Sequence, residues 1–281
     1  MRRKEWKYTK IEEDGQMCKV MAVANQKGGV GKTTTTVNLG VGLAKEGNRV
    51  LLIDADPQGS LTISLGIQEP DQLDYTISNI MLDVVNEEEL PMDKGIIHHR
   101  EEVDFIPSNI ELSGLEVSLV NVMSRELILR EFINQVKSDY DYILIDCMPS
   151  LGMITINALA CADTVLIPVQ VSYLPVKGLQ QLIKTISRVK KQLNPKLEIE
   201  GIVLTMVDYR TNYARDIASA IFDTYSNSIN VFNTVIPTSV RAAETTINGT
   251  SIYEHSKKSK VAIAYEKLTE EVLEYGSKRE D

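Results

Sequence analysis

Short apolar runs that alternate with longer amphipathic stretches constrain the fold of this chain more than any other feature. The runs are rich in Val and Ile and are bounded by turn residues, which is typical of strands buried on both faces of a sheet. Six such runs occur at residues 20–24, 50–54, 142–146, 164–169, 201–205 and 231–236, with a candidate seventh at 104–109. Strands and helices in alternation imply right-handed crossovers between parallel strands. We therefore predict an α/β fold, with a mainly parallel twisted sheet and helices on both faces.

The same alternation of apolar runs and amphipathic stretches continues along the chain from residue 18 and indicates a single domain. Amphipathic helices are predicted between the strands at residues 33–46, 112–137, 176–193, 211–225 and 258–275. No internal repeat, low-complexity tract or linker rich in Pro or Gly interrupts residues 18–281, so we predict one domain there. Residues 1–17 are polar, with basic side chains followed by acidic ones, and we expect a solvated tail.

Composition excludes several classes of protein. The chain has 281 residues with 30 Lys and Arg against 39 Asp and Glu, a formal net charge of −9. This balance excludes a protein coated in positive charge, while a local basic patch remains open. Three cysteines without a CxxC pair argue against a disulfide framework and for a reducing compartment. No apolar run is long enough for a membrane helix, and the charged N-terminus lacks the apolar core of a secretion signal. We expect a soluble cytoplasmic protein.

A glycine-rich loop follows the first predicted strand and opens the first predicted helix. It reads NQKGGVGKTT over residues 25–34, with three glycines in four positions. The glycines allow backbone N–H groups to form a nest for phosphate oxygens, and the helix start adds partial positive charge. Lys32 can reach the β- and γ-phosphates, and the Thr33 hydroxyl can ligate Mg²⁺. A merely flexible turn would not explain the Gly-Lys-Thr ending. The residues of the predicted nucleotide site are Lys27, Gly28, Gly29, Val30, Gly31, Lys32, Thr33 and Thr34.

Carboxylates follow two of the predicted strands. Asp54 ends the run at 50–54 and Asp56 follows two residues later, and Asp146 ends the run at 142–146. The carboxyl ends of parallel strands line the ligand crevice of an open sheet, so these acids are predicted to face the glycine-rich loop. A carboxylate there can hold Mg²⁺, usually through water, or orient an attacking water. Each acid alone could equally cap the next helix, but together with the loop they favour a common site.

The loop departs from the usual phosphate-loop pattern, because Gln26 stands where the first glycine should be and Lys27 follows it. The form KGGVGKTT resembles the deviant Walker A motif of the ParA/MinD class of P-loop ATPases. LLIDADPQGS resembles the switch-like motif of ParA proteins and YILIDCMPSLG their Walker B strand, with Met148 where the family usually has Pro. The resemblance implies ATP and Mg²⁺ as cofactors and ATP hydrolysis to ADP and phosphate as the reaction.

The resemblance also implies a role for each residue of the site. Lys27 would reach across a dimer interface to the phosphates of the partner's nucleotide, where a second cation offsets the charge of two sandwiched nucleotides. Asp56 would place or activate the hydrolytic water, Asp146 would hold Mg²⁺ through water, and Asp54 would support the same network. Without the resemblance, Lys27 could be a solvent-facing loop lysine. The implied catalytic residues are Lys27, Lys32 and Asp56, and the implied metal residues are Thr33, Asp54 and Asp146.

The second half of the chain distinguishes among members of this class. The cysteines are scattered, unlike those of iron–sulfur carriers, and the C-terminal tyrosine cluster of the tyrosine kinases is missing. The ending LEYGSKRED is unlike the basic amphipathic helix of membrane-targeted relatives. Residues 203–212, 236–244 and 251–265 resemble instead the small, Soj-like ParA proteins. The residues that this resemblance places at the nucleotide are Met206, Asp208 and Pro237.

Arg241 stands where Soj-like proteins carry an arginine used in DNA binding. Other basic residues cluster at 184–191 and 257–260, and with Arg241 they could form one phosphate-contacting face. The alternative is ordinary solvated helix surface. The following turn, TTINGT at 245–250, departs from the family, so we expect the DNA-facing loop to differ in shape. The residues predicted to contact DNA are Arg188, Arg241, Lys257 and Lys258.

The resemblance as a whole implies a DNA partition ATPase. ATP and Mg²⁺ would close two subunits into a sandwich homodimer that binds double-stranded DNA without sequence preference. A ParB-like centromere-binding partner would stimulate hydrolysis and reset the cycle, which would move or space a plasmid, a chromosome region or a mobile element on the nucleoid, away from any membrane. Two alternatives stay open, namely a membrane-associated spatial regulator like MinD and an ATPase that positions a protein cargo.

Overall fold

Eight strands form one sheet within the described residues of the computed structural model, which are 18–171, 175–208 and 210–280. The expected tail at 1–17 lies outside them. The strands are β1 (Lys19–Val23), β2 (Val50–Ala55), β3 (Ile97–His99), β4 (Val103–Ile106), β5 (Tyr142–Cys147), β6 (Thr164–Gln170), β7 (Glu198–Val207) and β8 (Val231–Pro237). Six of them match the predicted runs and β4 matches the candidate seventh. The predicted α/β fold is confirmed.

Helices connect the strands and cover the sheet. In the part of the chain that the structure describes, they are α1 (Lys32–Lys45), α2 (Ser60–Ser64), α3 (Ile77–Val85), α4 (Met92–Gly95), α5 (Glu111–Ser118), α6 (Ile128–Val136), α7 (Met153–Cys161), α8 (Pro175–Gln192), α9 (Asn212–Tyr225), α10 (Val240–Asn248), α11 (Ile252–His255) and α12 (Lys260–Glu280). The prediction of one helix over 112–137 is wrong, because α5 ends and α6 begins inside that range. Between them Ser124 adopts a left-handed φ of 54°, which a continuous helix cannot contain. None of the helices in the described ranges is long and apolar enough to cross a membrane.

The order of the strands is β3-β4-β2-β5-β1-β6-β7-β8, and neighbours are parallel except for β3 with β4. β1 lies between β5 and β6. The chain leaves β1 through α1 for β2 on one side of it, whereas β6 lies on its other side. The carboxyl end of β1 is therefore a topological switch point, where open α/β sheets bind ligands. Asp146 on β5 pairs with Val23 on β1 and with Asp54 on β2, so the ends of these three strands meet there.

The helices are sorted between the two faces of the sheet. Helices α1, α2, α11 and α12 pack on one face with strand residues such as Met21 and Val23. Helices α3 and α5 to α9 pack on the other face with Val20 and Ala22. This sorting follows from the alternation of side chains along a strand. Helix α10 belongs to the first face, where its Ala242 packs against the core.

Helices α2 and α10 touch through backbone as well as side chains. The hydroxyl oxygens of Ser64 and Thr246 are 3.3 Å apart. After each helix comes a glycine in the left-handed region, Gly66 with φ 100° and Gly249 with φ 59°. A Cβ on Gly249 would stand 2.4 Å from the Gly66 Cα, so only glycine fits at this contact.

Candidate functional site at the carboxyl edge of the sheet

The glycine-rich loop joins the end of β1 to the start of α1. Gly29 and Gly31 have left-handed φ values of 71° and 83°, which side chains with a Cβ rarely adopt. Gly31 is the residue before α1, and no side chain caps the helix there. The first N–H groups of α1 therefore remain available to an anion such as a phosphate.

Neighbouring strands hold the loop in place. The Thr205 hydroxyl of β7 donates to the Val30 carbonyl at 2.8 Å, and the Asn25 amide donates to the Pro168 carbonyl of β6 at 2.7 Å. Lys32, at the start of α1, is only 7% exposed. A buried ammonium requires anionic partners, which phosphates would supply. Hydrogen bonds to β6 and β7 thus fix the loop, and the Lys32 side chain is buried within it.

Lys27 differs from Lys32 in its surroundings, because it is exposed. Its backbone N–H donates to Oδ1 of Asn25 at 3.0 Å, and its Nζ donates to Oε1 of Gln170, at the end of β6, at 3.2 Å. The two lysines of the motif therefore occupy different positions, one inside the loop and one at its rim.

Thr33 and Asp146 are hydrogen-bonded to each other. The Thr33 hydroxyl donates to Oδ2 of Asp146 at 2.6 Å. Asp146 is 1% exposed, and burial together with the nearby charge of Asp54 raises its pKa to about 8, although Thr33 and Lys32 counteract the shift. The hydroxyl and the carboxylate that the sequence assigns to Mg²⁺ thus lie side by side, and the buried carboxylate would be stabilised by a cation.

Asp54 is fully buried, and both of its carboxylate oxygens accept hydrogen bonds from the protein. The backbone N–H of Asp56 donates to Oδ1 at 3.2 Å, while the N–H and the hydroxyl of Thr62 donate to Oδ2 at 2.8 and 2.7 Å. Burial raises its pKa to about 6, and the Thr62 hydrogen bonds oppose the shift. These contacts are those of a residue that supports the site, which is the role that the resemblance implies for Asp54 beside Asp146. Sequence reasoning missed Thr62, because no motif requires its hydroxyl.

Asp56 lies in the turn between β2 and α2 and is partly exposed. Its Oδ1 accepts the backbone N–H of Gln58 at 3.0 Å, and its carbonyl accepts the N–H of Gly59 at 3.0 Å. Hydrogen bonds from the described residues leave Oδ2 of Asp56 unengaged. One oxygen is therefore fixed while the other can bind a water.

The donor set fits a magnesium–nucleotide complex better than an isolated metal ion. The described ranges hold no group of three or more His, Cys, Asp and Glu side chains that could bind a metal. Thr33 and Asp146 supply one hydroxyl and one carboxylate. Mg²⁺ is commonly bound by one or two carboxylates together with phosphate oxygens and water. An ion at this pair would thus depend on the phosphates for further ligands.

The residues predicted near the nucleotide base lie at the carboxyl ends of β7 and β8. Met206, near the end of β7, has a left-handed φ of 53°, and its Cε is 3.8 Å from the place of a Cβ on Gly31. Asp208 accepts two hydrogen bonds from the Arg210 guanidinium, at 2.8 and 2.7 Å, which lower its pKa to about 2. Pro237 ends β8. Met206 thus adjoins the phosphate loop, and Asp208 and Pro237 follow at the same edge.

The residues predicted to contact DNA are divided between the two sides of the sheet. Arg188 is exposed on α8, whereas Arg241 is exposed on α10, on the opposite face. Arg188 is therefore separated from the other three residues by the sheet. Arg241 donates to the Ser256 hydroxyl at 2.6 Å, which brings it to the segment that carries the exposed Lys257 and Lys258. Three of the four predicted residues therefore belong to one region.

Cys147 follows Asp146 and is 1% exposed. Burial raises the pKa of its thiol, and the charge of Asp146 raises it further. A thiol in this state is unreactive, so Cys147 serves as a small buried apolar residue, as expected, and not as a redox switch.

Comparison with known proteins agrees with this geometry. The model of a family described as AAA domain matches residues 18–199. The chain is 44% identical to sporulation initiation inhibitor protein Soj of Bacillus subtilis over 260 residues, 92% of this chain and 100% of that protein. It is 40% identical to chromosome partitioning protein ParA of Caulobacter vibrioides over 257 residues, 91% of this chain and 94% of that one.

A solved structure with the same fold contains the expected ligands. Cobyrinic acid a,c-diamide synthase from Mycobacterium smegmatis, with bound ADP and magnesium, is 36% identical and superposes with a TM-score of 0.81 over 93% of this chain and 96% of that one. The expectation of ATP and Mg²⁺ as cofactors agrees with that complex. Three observations agree, namely the phosphate loop, the buried carboxylates at the switch point, and the 40–44% sequence identity to ParA and Soj across about nine-tenths of this chain. The chain belongs to the ParA/Soj family of P-loop ATPases.

Proposed function

We propose that this chain is a partition ATPase whose ATP-bound form is a sandwich homodimer that binds double-stranded DNA without sequence preference. The observation that carries the proposal is the meeting of the phosphate loop, the Thr33–Asp146 pair and the Asp56 turn at one edge of the sheet. Membership of the ParA/Soj family supports the same function.

Within one subunit, the residues divide the work of phosphoryl transfer, which consists mainly of positioning and charge neutralisation. Lys32 and the N-terminal N–H groups of α1 bind the phosphates. Thr33 and Asp146 hold Mg²⁺, which when bound neutralises charge on the phosphate oxygens. Asp56 has one oxygen held by the turn and orients the attacking water with the other. Asp54 supports this turn by accepting a hydrogen bond from the Asp56 N–H.

Between subunits, Lys27 supplies the additional cation. Its exposure at the rim of the loop leaves it accessible to the nucleotide of a second copy, once it exchanges its contact with Gln170. Closing the dimer brings two copies of the region around Arg241, Lys257 and Lys258 into one assembly. The net charge of −9 disfavours DNA binding by a single subunit, so pairing makes DNA affinity depend on ATP. A ParB-like centromere-binding partner stimulates ATP hydrolysis and so releases the dimer from the DNA of the nucleoid.

The proposal is tested by titrating the protein against a fluorescent duplex of arbitrary sequence with ATP, ADP or no nucleotide, at two salt concentrations. Tight, salt-sensitive binding only with ATP, together with a dimer in gel filtration, is the expected result. DNA affinity that ignores nucleotide would contradict it. ATP-dependent sedimentation with anionic liposomes and no DNA binding would replace it with a membrane-associated regulator.

A further inference from the structure

Thr62, on α2, lies where three segments meet beneath the nucleotide edge of the sheet. It is fully buried. Its hydroxyl donates to Oδ2 of Asp54, at the end of β2, at 2.7 Å. The backbone N–H of Ser108, which follows β4, donates to the same hydroxyl at 2.9 Å. One hydroxyl therefore joins β2, α2 and the end of β4.

The direction of these hydrogen bonds follows from the chemistry of the groups. The Ser108 N–H can only donate, so the Thr62 oxygen accepts from it. The Thr62 O–H is then directed to Asp54, whose ionised carboxylate can only accept. The hydroxyl uses its donor and an acceptor position at once, and its rotation is fixed. A methyl group in its place would leave the buried Ser108 N–H without its partner, and Asp54 Oδ2 would keep only the hydrogen bond from the Thr62 backbone N–H.

Asp54 transmits this constraint to the turn that carries Asp56. Its Oδ1 accepts the Asp56 N–H at 3.2 Å, at the start of the turn. At the end of the turn stands Gly59, where a Cβ would lie 3.0 Å from the Ser108 carbonyl oxygen. Asp54 thus hydrogen-bonds to the start of the turn, the Ser108 backbone lies close to its end, and Thr62 hydrogen-bonds to both of them.

We propose that Thr62 is a positioning residue for ATP hydrolysis, which holds Asp54 against the Ser108 backbone and thereby keeps Asp56 in place to orient the attacking water. This inference rests on the proposed function, since it requires a hydrolytic role for Asp56. Thr62 acts through Asp54 and is not itself part of the phosphate loop. Its hydroxyl therefore affects the rate of the chemical step and leaves nucleotide binding nearly unchanged.

The test compares Thr62→Val, which keeps the shape and removes the hydroxyl, with Thr62→Ser, which keeps the hydroxyl. Single-turnover ATP hydrolysis gives the rate of the chemical step, and steady-state phosphate release gives kcat and KM. A misplacement of about 1 Å costs about a hundredfold in rate, so we expect Thr62→Val to lower kcat about tenfold to a hundredfold with KM within about twofold. Thr62→Ser should stay close to the wild type. Ser64→Ala is the matched control on α2, because its hydroxyl donates to the Ser60 carbonyl at 2.8 Å and lies 3.3 Å from the Thr246 hydroxyl, away from Asp54 and Ser108.

Several results would overturn the inference. Wild-type kcat in Thr62→Val would show that the hydroxyl is dispensable, and equal losses in Thr62→Val and Thr62→Ser would assign the effect to packing. A rise in KM as large as the fall in kcat would assign Thr62 to nucleotide binding. Thr62→Ala repeats the test if the valine variant does not fold, and failure of both to fold would assign Thr62 to stability alone. A wild-type protein without ATPase activity would refute the proposed function itself, which distinguishes the two failures.

Discussion

Asp54 and Asp146 are paired residues of the adjacent strands β2 and β5, and both are buried from solvent. Two carboxylates on neighbouring strands repel each other when both are ionised, and burial adds to the cost. The pKa of Asp146 is raised to about 8 and that of Asp54 to about 6. The folded protein therefore holds protons at this site that the unfolded chain releases near pH 4.

This relationship predicts how stability depends on pH. Between about pH 4 and pH 8 the folded state binds more protons than the unfolded state, so these two acids make stability fall as the pH rises. Asp146→Asn removes the larger share and should raise the melting temperature of the nucleotide-free protein at pH 8. A gain of about 1 kcal/mol corresponds to about 2–4 °C in a domain of this size.

The control for this prediction is Asp141→Asn. Burial alone would raise the pKa of Asp141, but hydrogen bonds from Arg49 outweigh it and lower the pKa. The variant should therefore lose stability at pH 8, opposite to Asp146→Asn. Calorimetric melts at pH 5 and pH 8 measure both. A lower melting temperature for Asp146→Asn at pH 8 would contradict the account of the buried pair.

Lys27→Ala should keep ATP binding and lose the ATP-dependent dimer. Lys27 is exposed at the rim of the loop, whereas Lys32 is buried within it and would still be present to bind phosphate in the variant. Without the second cation, two nucleotides would repel each other across the interface, and we expect at least a tenfold weaker dimer, about 1.4 kcal/mol. Analytical ultracentrifugation with ATP measures the dimer. Lys196→Ala, an exposed lysine next to the start of β7, is the control, and a persistent dimer in Lys27→Ala would refute the role.

Asp56→Ala should trap the ATP-bound dimer. The variant removes the carboxylate oxygen that can bind water, while the phosphate loop and the Thr33–Asp146 pair remain. A group that positions or activates water contributes about a hundredfold or more to the rate. Phosphate release measures turnover, and Asp74→Ala, an exposed acid further along the chain, serves as the control. Turnover at the wild-type rate would remove Asp56 from the mechanism.

Arg241→Glu should weaken DNA binding in the presence of ATP and leave ATPase activity largely intact. If each subunit loses one phosphate contact, the log–log slope of affinity against salt should fall by about two for the dimer. Arg188→Glu introduces the same charge change on the opposite side of the sheet and should alter affinity by less than about twofold. Fluorescence anisotropy at several salt concentrations compares them. Equal losses would indicate a general charge effect instead of a local contact.

The sequence predicted the central strands well because their residues are buried on both faces. Continuous Val and Ile runs of that kind have few other interpretations. β3 was missed because it is three residues long, contains two histidines and pairs antiparallel at the edge of the sheet. The break between α5 and α6 was also missed, since it occurs at Ser124 without the Gly or Pro that usually marks a turn.

The candidate site was predictable where a motif fixes both spacing and chemistry. The phosphate loop and the acids that follow two strands are of this kind, and the structure brings them together. The contacts of Asp54 were not predictable, because its partner Thr62 carries no signal in the sequence and Ser108 acts through its backbone. The position of Arg188 was not predictable either, since a cluster of charges does not reveal which face of a sheet its helix covers.

The contact between Gly66 and Gly249 limits how helices α2 and α10 can move relative to each other. A side-chain contact can adjust by changing rotamers, but two glycine backbones in direct contact have no such freedom. Helix α2, which begins just after the Asp56 turn, and helix α10, which carries Arg241, therefore meet at a point where neither backbone can move inward without displacing the other. A change of shape at the ATP site would then reach the proposed DNA contact through backbone, at a point where no change of rotamer can absorb it.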